Sequence, residues 1–239
     1  MKSPRTLAAA VEHDAAVPAG REERFRGYGV MGLPFASGYL LAMRRFPVTS
    51  LGPGYTSVWV RTPAGAWSMY STVPPGMSCP RYFGNALAGA SMEDIELQWT
   101  GEQSLRLAVG GAVDLSWTMH LSATPATRIL SAVAGLMPGP LLRTTAVLKA
   151  MGPAAGLVLD SGGIALTGSS PNSQRFKAIP RRVWSIDAGS ATLRGEDLGP
   201  LGPLAEQARL GGFRLPQRGL FMFGSVYFDP ADPSGRGPR

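Results

Sequence analysis

The chain is short of the side chains that most catalytic and metal sites use. Its 239 residues include one cysteine, two histidines and three lysines. The single cysteine, Cys79, excludes an intramolecular disulfide, and no histidine stands near it in sequence to activate the thiol, so we expect it to be buried and unreactive. The histidines, His13 and His120, are too few for a histidine-based site, and we expect no metal.

Motifs for cofactors and for membrane insertion are also missing. The glycine pairs at 162–163 and 211–212 are not followed by a predicted helix, as a phosphate-binding loop requires, so the sequence implies no cofactor. No run of about 18 uncharged apolar residues occurs, and the N-terminus lacks the apolar stretch of a secretory leader. The sequence therefore predicts a cytoplasmic protein without a transmembrane segment.

Acidic residues are few, at 16 against 23 basic ones, which makes the formal net charge +7. A high number of arginines is typical of proteins from high-GC genomes. Here the arginines are scattered along the chain, whereas a nucleic-acid-binding surface needs a cluster. We therefore expect no specific nucleic-acid partner.

Lys149 and Lys177 lie at positions expected to be exposed, so a decarboxylase-like enzyme with a Schiff-base lysine ranks only third among the hypotheses.

Glycine and proline are abundant, at 31 and 21 residues, as in a protein with many strands and turns. The clearest strands lie in 94–122, where apolar and polar residues alternate in three runs. Turn residues at 100–102 and 110–111 separate these runs. The pattern predicts a three-stranded antiparallel meander with one apolar face.

The register of this meander follows from matching the apolar faces of its strands. The match pairs Trp99 with Leu105 and Leu105 with Trp117, because facing side chains must lie on the same side of the sheet. The opposite, polar face then carries one row of side chains, formed by Gln98, Arg106 and Ser116.

The rest of the pattern predicts one β-rich domain over 25–228, between flexible tails at 1–24 and 229–239. Further strands are expected at 38–46, 55–61, 67–73, 163–168, 174–179, 182–187, 191–194 and 219–228. The predicted fold class is therefore mainly β. It is either an antiparallel lipocalin-like barrel or two packed sheets, since long antiparallel strands leave exposed edges unless the sheet closes.

A helical insert is expected at about 124–159. Thr124 is a suitable N-cap, and apolar residues follow it at helical spacing. Proline and glycine at 138–140 and 152–153 are expected to end its two helices. Because 129–159 carries two basic side chains and no acidic one, we hypothesise a lid over one end of the barrel. A fixed plug in the core and a membrane contact are the alternatives.

Candidate site residues are of two kinds. The five tryptophans all fall in predicted strands, where they either fill the core or line a cavity for an apolar ligand; they are Trp59, Trp67, Trp99, Trp117 and Trp184. Weak candidates for catalysis are His120, on the polar face of its strand, and Glu96, which lies diagonal to Arg106. That charged pair belongs either to a cavity or to the surface.

Three segments carry a resemblance to known proteins. Residues 55–67, 95–101 and 117–128 resemble an uncharacterised family of actinobacterial proteins, over about 35–228. Much more distantly, the tryptophan-containing hairpin and meander are similar to the lipocalin-like group that includes carotenoid hydratases and hydroxy-isoprenoid or polyketide cyclases. That resemblance implies a β barrel with an apolar cavity, and it assigns no catalytic residue.

These observations favour one function and leave one alternative open. The favoured function is binding of a hydrophobic small molecule, such as an isoprenoid, polyketide or acyl compound, in an apolar barrel cavity. If the protein is an enzyme, we expect a cofactor-independent cyclase, hydratase or isomerase. The alternative is a structural or regulatory domain with a filled core. The sequence does not indicate the oligomeric state.

Overall fold

The computed structural model of the protein describes residues 2–230. Its helices are Pro4–His13 (α1), Pro80–Phe83 (α2), Pro125–Leu136 (α3), Gly139–Leu142 (α4) and Thr145–Val158 (α5), with 3₁₀ turns at Pro75–Met77 and Gly84–Ala86. Its strands are Glu23–Pro34 (β1), Leu40–Thr49 (β2), Pro53–Arg61 (β3), Trp67–Ser71 (β4), Gly89–Met92 (β5), Ile95–Trp99 (β6), Ser104–Val109 (β7), Leu115–Ser122 (β8), Thr167–Ser169 (β9), Arg175–Leu193 (β10), Glu196–Asp197 (β11), Arg209–Leu210 (β12), Phe213–Arg214 (β13) and Leu220–Phe228 (β14).

The predicted fold class, mainly β with a helical insert, is confirmed. One sheet runs in the order β5-β4-β3-β2-β1-β14-β10-β8-β7-β6, and β9 and β11 pair with β10 outside this path. Neighbouring strands of the path are antiparallel except for β4 and β5, which are parallel. Within the described residues β5 and β6 stand at the two ends of the path, so the sheet is a curled half-barrel rather than a closed barrel.

One face of the curled sheet, here called the inner face, is filled by a single cluster of apolar side chains. Seven neighbouring strands, from β3 through β1 and β10 to β7, contribute buried residues to it, so the sheet must bend around the cluster. Its largest members, Trp117, Trp184 and Phe221, are 0%, 1% and 0% exposed. These side chains are packed as in a protein interior, and the two cavities described below lie on the outer face instead.

The opposite, outer face carries a second apolar cluster under α2 and the small β12–β13 sheet. It contains Trp59 and Trp67 with Phe25, Phe83 and Phe228 among others. Because both faces of β1 to β3 are covered, these strands are apolar on both sides and do not show the clean alternation of a half-exposed strand.

The meander is confirmed as β6, β7 and β8, but part of its predicted register is wrong. Trp99 faces Leu105 as expected. Leu105, however, faces Met119, and Trp117 faces Leu107, a slip of two residues that keeps every side chain on its predicted face. The connection spans 110–114, because Val113 turns into the core and Asp114 adopts a left-handed conformation with φ 42°.

The predicted N-terminal tail over 1–24 is wrong where the structure shows a helix. In α1 the Ser3 hydroxyl caps the helix by accepting from the Thr6 N–H at 3.1 Å, and Ala8 is buried against the inner core. Strand β1 then begins at Glu23. Most of the second tail predicted at 229–239 lies outside the described residues.

Strand β1 is not predicted from the sequence because glycine interrupts its apolar pattern. A Cβ on Gly27 would lie 1.9 Å from the carbonyl oxygen of Arg45, and one on Gly29 would lie 2.1 Å from that of Met43. The neighbouring strand approaches so closely that only glycine fits at these two positions.

The three strands predicted at 174–179, 182–187 and 191–194 are one strand, β10. It is bent where its register shifts near Pro180 and Ile186.

The helical insert lies where the sequence predicts it, with different internal boundaries. The Thr124 hydroxyl caps α3, as expected, by accepting from the Thr127 N–H at 3.2 Å. The second long helix, α5, begins at Thr145 and continues through Pro153 instead of ending there. Its Gly152 and Gly156 are buried against the backbone of 162–164, so these glycines serve close packing rather than helix termination. In the described residues no helix has the length and apolar character needed to span a membrane.

Candidate functional site

A cavity of about 270 Å³ lies on the outer face of the sheet, between the strands and the helical insert. Strands β1, β2, β10 and β14 form one wall, α3 and α5 form the other, and the segments 164–166 and 213–216 close the sides. Its lining is almost wholly apolar; the strand wall includes Met31, Phe46, Ala178, Pro180, Val183, Met222 and Val226, and the helix wall includes Leu130, Val133, Met151, Ala155 and Val158.

The cavity exists because the strand wall carries small residues where the helices stand away from it. Gly27 of β1 and Gly224 of β14 are cross-strand partners, and both line the cavity. Ala178 and Pro180 lie on the adjacent strand β10. On the helical side, α3 packs along β10 and α5 packs on β9 and β10, and each presents alanine to the space between them.

One cation, Arg44 of β2, is buried in the strand wall. Its side chain follows Leu40 and Ala42 on the outer face, and the residue is only 9% exposed. Nη1 donates to the carbonyl oxygens of Val30 and Met43, and the guanidinium lies over the Trp59 ring at 4.6 Å from its centroid. Burial lowers the pKa of Arg44 to about 10, so the group still carries its charge at neutral pH.

Arg44 also borders a second, smaller cavity of about 30 Å³. The two cavities share Arg44, Phe46, Phe213 and Val226 in their walls, so the guanidinium stands between them. Around the smaller one lie the hydroxyl of Tyr55 and the thiol of Cys79, 3.5 Å apart. Burial raises the pKa of both groups, which keeps them neutral. The expectation of a buried thiol at Cys79 is therefore confirmed.

Two further polar atoms near Arg44 are buried without a partner. Ser57 is the cross-strand neighbour of Arg44 and is fully buried, and its Oγ makes no hydrogen bond to the described residues. The Nε1 of Trp59, the indole under the guanidinium, is also buried without a partner in that part of the chain. The cluster thus holds several donors and one positive charge, with no acidic side chain paired to it among residues 2–230.

The cavity opens toward an exposed apolar surface on the insert. Along α3, Ile129, Val133 and Leu136 are 62%, 48% and 85% exposed, and along α5, Leu157 and Val158 are 85% and 51% exposed. The α3 residues recur at helical spacing and form an apolar stripe along that helix, whereas the two α5 residues are neighbours at its C-terminal end. Val133 and Val158 belong both to this surface and to the cavity lining. The insert therefore covers a cavity, but on the outer face of the sheet rather than at the end of a barrel.

The five tryptophans are not gathered around the main cavity. Trp117 and Trp184 are buried in the inner core, and Trp99 packs beside them with its ring centroid 6.0 Å from that of Phe221. Trp59 lines the smaller cavity, and Trp67 belongs to the outer cluster. All five are described residues, and none lines the main cavity. Their common role in the structure is to fill the two faces of the sheet.

The weak catalytic candidates lie on the exposed side of the meander, away from both cavities. His120 is 2.8 Å from Asp187 (Nδ1 to Oδ1), and the two side chains are 44% and 49% exposed. Burial acts to raise the pKa of Asp187, but hydrogen bonds from His120 and Ser122 outweigh it and hold the pKa below its ordinary value. Glu96 and Arg106 are exposed and lie diagonally across β6 and β7, so they are surface side chains.

The lysines are equally remote from the cavity. Lys149 is exposed on α5, and Lys177 is half-buried on β10. Among the described residues, the cavity lining includes no lysine, histidine, aspartate or glutamate. A Schiff-base mechanism therefore has no amine in this cavity, and the charged groups bordering it are Arg44 and, at its exposed rim, Arg214.

Arg44 is not among the site residues predicted from the sequence, although one local pattern indicates it. Arg44 and Arg45 are adjacent in a strand that is otherwise apolar on both faces. Since neighbouring residues of a strand point to opposite faces, one of the two arginines must enter each buried face. Arg45 is neutralised on the inner side by Glu12, to which its Nη2 donates at 2.6 Å, whereas Arg44 has no such partner in residues 2–230.

Comparison with known proteins yields structural neighbours alone. No protein-family model matches the chain, and no curated protein matches it significantly. Among solved structures it is similar to acetoacetate decarboxylase from Legionella pneumophila, with 14% identity, a TM-score of 0.42 and coverage of 94% of this chain and 96% of that one. A second acetoacetate decarboxylase structure has 12% identity, a TM-score of 0.41 and coverage of 91% and 90%. The resemblances found in the sequence to the actinobacterial family and to the lipocalin-like group stay predictions.

Proposed function

We propose that the protein binds a hydrophobic small molecule in the cavity between the outer face of its sheet and helices α3 and α5. The observation that carries this proposal is the lining itself: a volume of about 270 Å³ bordered almost wholly by apolar side chains. Transfer of apolar surface from water into such a space is favourable in proportion to the area removed from water. Small-molecule sites typically have this apolar lining with few polar groups.

The alternative from the sequence, a structural or regulatory domain with a filled core, fits the inner face and not the outer one. The inner face is packed with tryptophan and phenylalanine. The outer face has space that its own side chains leave unfilled, and two helices with exposed apolar side chains border that space. An unfilled apolar space forfeits packing contacts, which a ligand would restore.

Binding ranks before catalysis in this proposal. The described lining has no carboxylate, imidazole or amine that could act as a general acid or base. For a cyclisation, hydration or isomerisation, the cavity would contribute a shape that orients the substrate, together with the charge of Arg44. The expected ligand classes, which are isoprenoid, polyketide and acyl compounds, share a long apolar body that suits this lining.

A cavity-filling variant tests the proposal. The neutral apolar fluorophore N-phenyl-1-naphthylamine should bind wild-type protein saturably with a gain in emission. In Ala155→Trp an indole would occupy the cavity from α5, so affinity should fall at least ~10-fold, as expected when the apolar space is taken. The matched control is Ala150→Trp, which adds the same side chain to the exposed side of the same helix and should leave affinity unchanged.

Two results would overturn the proposed function. One is the absence of saturable binding of the dye, of decan-1-ol and of other apolar probes to folded wild-type protein. The other is equal affinity of the dye for Ala155→Trp and wild type, which would place the binding site elsewhere. Thermal unfolding of both tryptophan variants verifies that they are folded during the titration.

A further inference from the structure

The geometry points to a carboxylate as the polar end of the ligand, held by Arg44 at the junction of the two cavities. The inference rests on the proposed function, because it assigns a head group to a molecule whose apolar body lies in the main cavity. It arises from the bonding of three arginines in this protein, two of which have a carboxylate partner and one of which does not.

Arg45 and Arg81 show how a carboxylate can neutralise a partly buried arginine in this fold. Arg45 donates to Glu12 from Nε at 2.8 Å and from Nη2 at 2.6 Å. Arg81 donates to Glu23 from Nε at 3.1 Å and from Nη2 at 2.6 Å. In both pairs a carboxylate lies along the Nε–Nη2 edge of the guanidinium and accepts two parallel hydrogen bonds.

The same edge of Arg44 has no carboxylate. Its Nη1 is occupied by the carbonyl oxygens of Val30 and Met43, whereas Nη2 makes only a long contact of 3.5 Å with the carbonyl oxygen of Met31. Within residues 2–230 no hydrogen bond from Nε and no ion pair of Arg44 is found. A buried charge without a counter-charge is costly, so an anion would be stabilised strongly at this point.

Neighbouring groups leave space for one small anionic group. Trp59 lines the smaller cavity, and its buried indole N–H makes no hydrogen bond to residues 2–230. The adjoining cavity of about 30 Å³ has room for a group of a few atoms, not for a second apolar body. The hydroxyl of Tyr55 borders the same space and stays protonated, because burial raises its pKa.

The single positive charge selects a carboxylate over a phosphate. A carboxylate carries one negative charge, which one guanidinium neutralises with two parallel hydrogen bonds. A phosphate monoester carries about −1.5 to −2 charges at neutral pH, and the excess would be buried unpaired here. The ligand class we infer is therefore a monocarboxylic acid with an apolar body, such as a fatty or isoprenoid acid.

The test compares decanoate with decan-1-ol, which share the tail and differ in the head group. The concentration of each compound that displaces N-phenyl-1-naphthylamine is measured for wild type, for Arg44→Met and for the control Arg209→Met. The control removes an equal charge from an exposed position. In wild type and in the control, decanoate should displace the dye at a concentration at least ~10-fold lower than decan-1-ol, since a charge-assisted bidentate pair favours it. In Arg44→Met this preference should vanish, while decan-1-ol binds as in wild type.

A second measurement covers the case in which Arg44→Met does not fold. Decanoate labelled with ¹³C at the carboxyl carbon is titrated in complex with wild-type protein. Beside Arg44 the bound acid should stay ionised to a lower pH than free decanoate. Two results would overturn the carboxylate assignment and leave the proposed function standing. One is that bound decanoate titrates at the same pH as free decanoate or at a higher pH. The other is that decanoate and decan-1-ol displace the dye equally from wild type. Failure of the dye and of decan-1-ol to bind would overturn the proposed function itself.

Discussion

The two faces of the curled sheet show how side-chain size decides where a protein has space. On the inner face, Trp117, Trp184 and Phe221 belong to one apolar cluster and are almost fully buried. On the outer face of the same strands, Gly224 and Ala178 stand opposite helices α3 and α5, and a cavity of about 270 Å³ is left between them. In this half-barrel the inner face is filled by large side chains, and the ligand-sized space lies where glycine and alanine line the strand wall under the two helices.

The two faces should differ most in the free energy of unfolding that is lost when a side chain is truncated to alanine. Trp117→Ala should lower the free energy of unfolding by about 3–5 kcal/mol, because it leaves a hole in a close-packed core. Leu157→Ala at the C-terminal end of α5, where the side chain is 85% exposed, should change it by less than about 0.5 kcal/mol. Urea unfolding monitored by circular dichroism measures both. A loss below about 1.5 kcal/mol for Trp117→Ala would show that the inner face is not tightly packed.

Hydrogen exchange distinguishes a mobile cover from a fixed plug. The amides of α3 and α5 should exchange at least ~10-fold faster than those of β7 and β8, because these helices have an unfilled space beneath them and exposed apolar side chains above. Added decan-1-ol should slow exchange in the helices and leave the strands unchanged. If α3 and α5 are as protected as the meander without ligand, the helices form a fixed plug and the lid hypothesis is wrong.

A smaller effect is expected where α1 docks on the sheet. Glu12 accepts two hydrogen bonds from Arg45 and one from Tyr28. Burial acts to raise the pKa of Glu12, but the bonds and charge of Arg45 outweigh it, so the pKa lies below its ordinary value of 4.5. The stabilisation is therefore fully present above pH 4.5 and is lost as the pH falls through the lower folded-state value.

Glu12→Gln measures this contribution. The substitution should cost about 1 kcal/mol or less at pH 7, since the pair is partly exposed to solvent. The cost should disappear in acid, where Glu12 itself is protonated. Glu196→Gln, at an exposed position in β11, is the control and should show no such pH dependence of the difference from wild type. A cost that persists unchanged below the titration of Glu12 would contradict the assigned ion pair.

The smallest effect is expected for His120. Its contact with Asp187 lies on the exposed side of the meander, so His120→Ala should lower stability by a few tenths of a kcal/mol. Binding of apolar probes should not change, because the described cavity lining excludes this residue. A tenfold or greater loss of probe affinity in this variant would show that the functional site lies on the meander instead.

The sequence predicts the meander well because one face of each strand is buried and the other is not. Alternation therefore places the side chains of β6 to β8 on their observed faces. The two-residue slip between β7 and β8 has a different origin, since Val113 enters the core and lengthens the connection. Helix α1 was missed although Ser3 and Pro4 form a suitable N-terminal cap, because its alanine-rich face is stabilised by contacts distant in sequence, such as Glu12 with Arg45.

The candidate site could not be predicted in the same way. Its two walls, the helical insert and the outer face of β1, β2, β10 and β14, are far apart in the chain, and no periodicity tells which face of the sheet the insert covers. The tryptophans were reasonable candidates because large aromatic side chains often line ligand sites; of the five, none lines the main cavity and Trp59 borders the smaller one. The adjacent arginines 44 and 45 in an apolar strand were the one local indication of a buried charge.

Methyl NMR of the protein during titration with decan-1-ol tests most directly which face holds the ligand. Methyl groups bordering the outer cavity, such as those of Val133, Met151 and Val183, should shift progressively and saturably and should show intermolecular NOEs to the decyl chain. Methyl groups of the inner core, such as those of Leu107 and Leu121, should not contact the ligand. NOEs from the ligand to the inner-core methyl groups, with none to the outer cavity, would contradict the account.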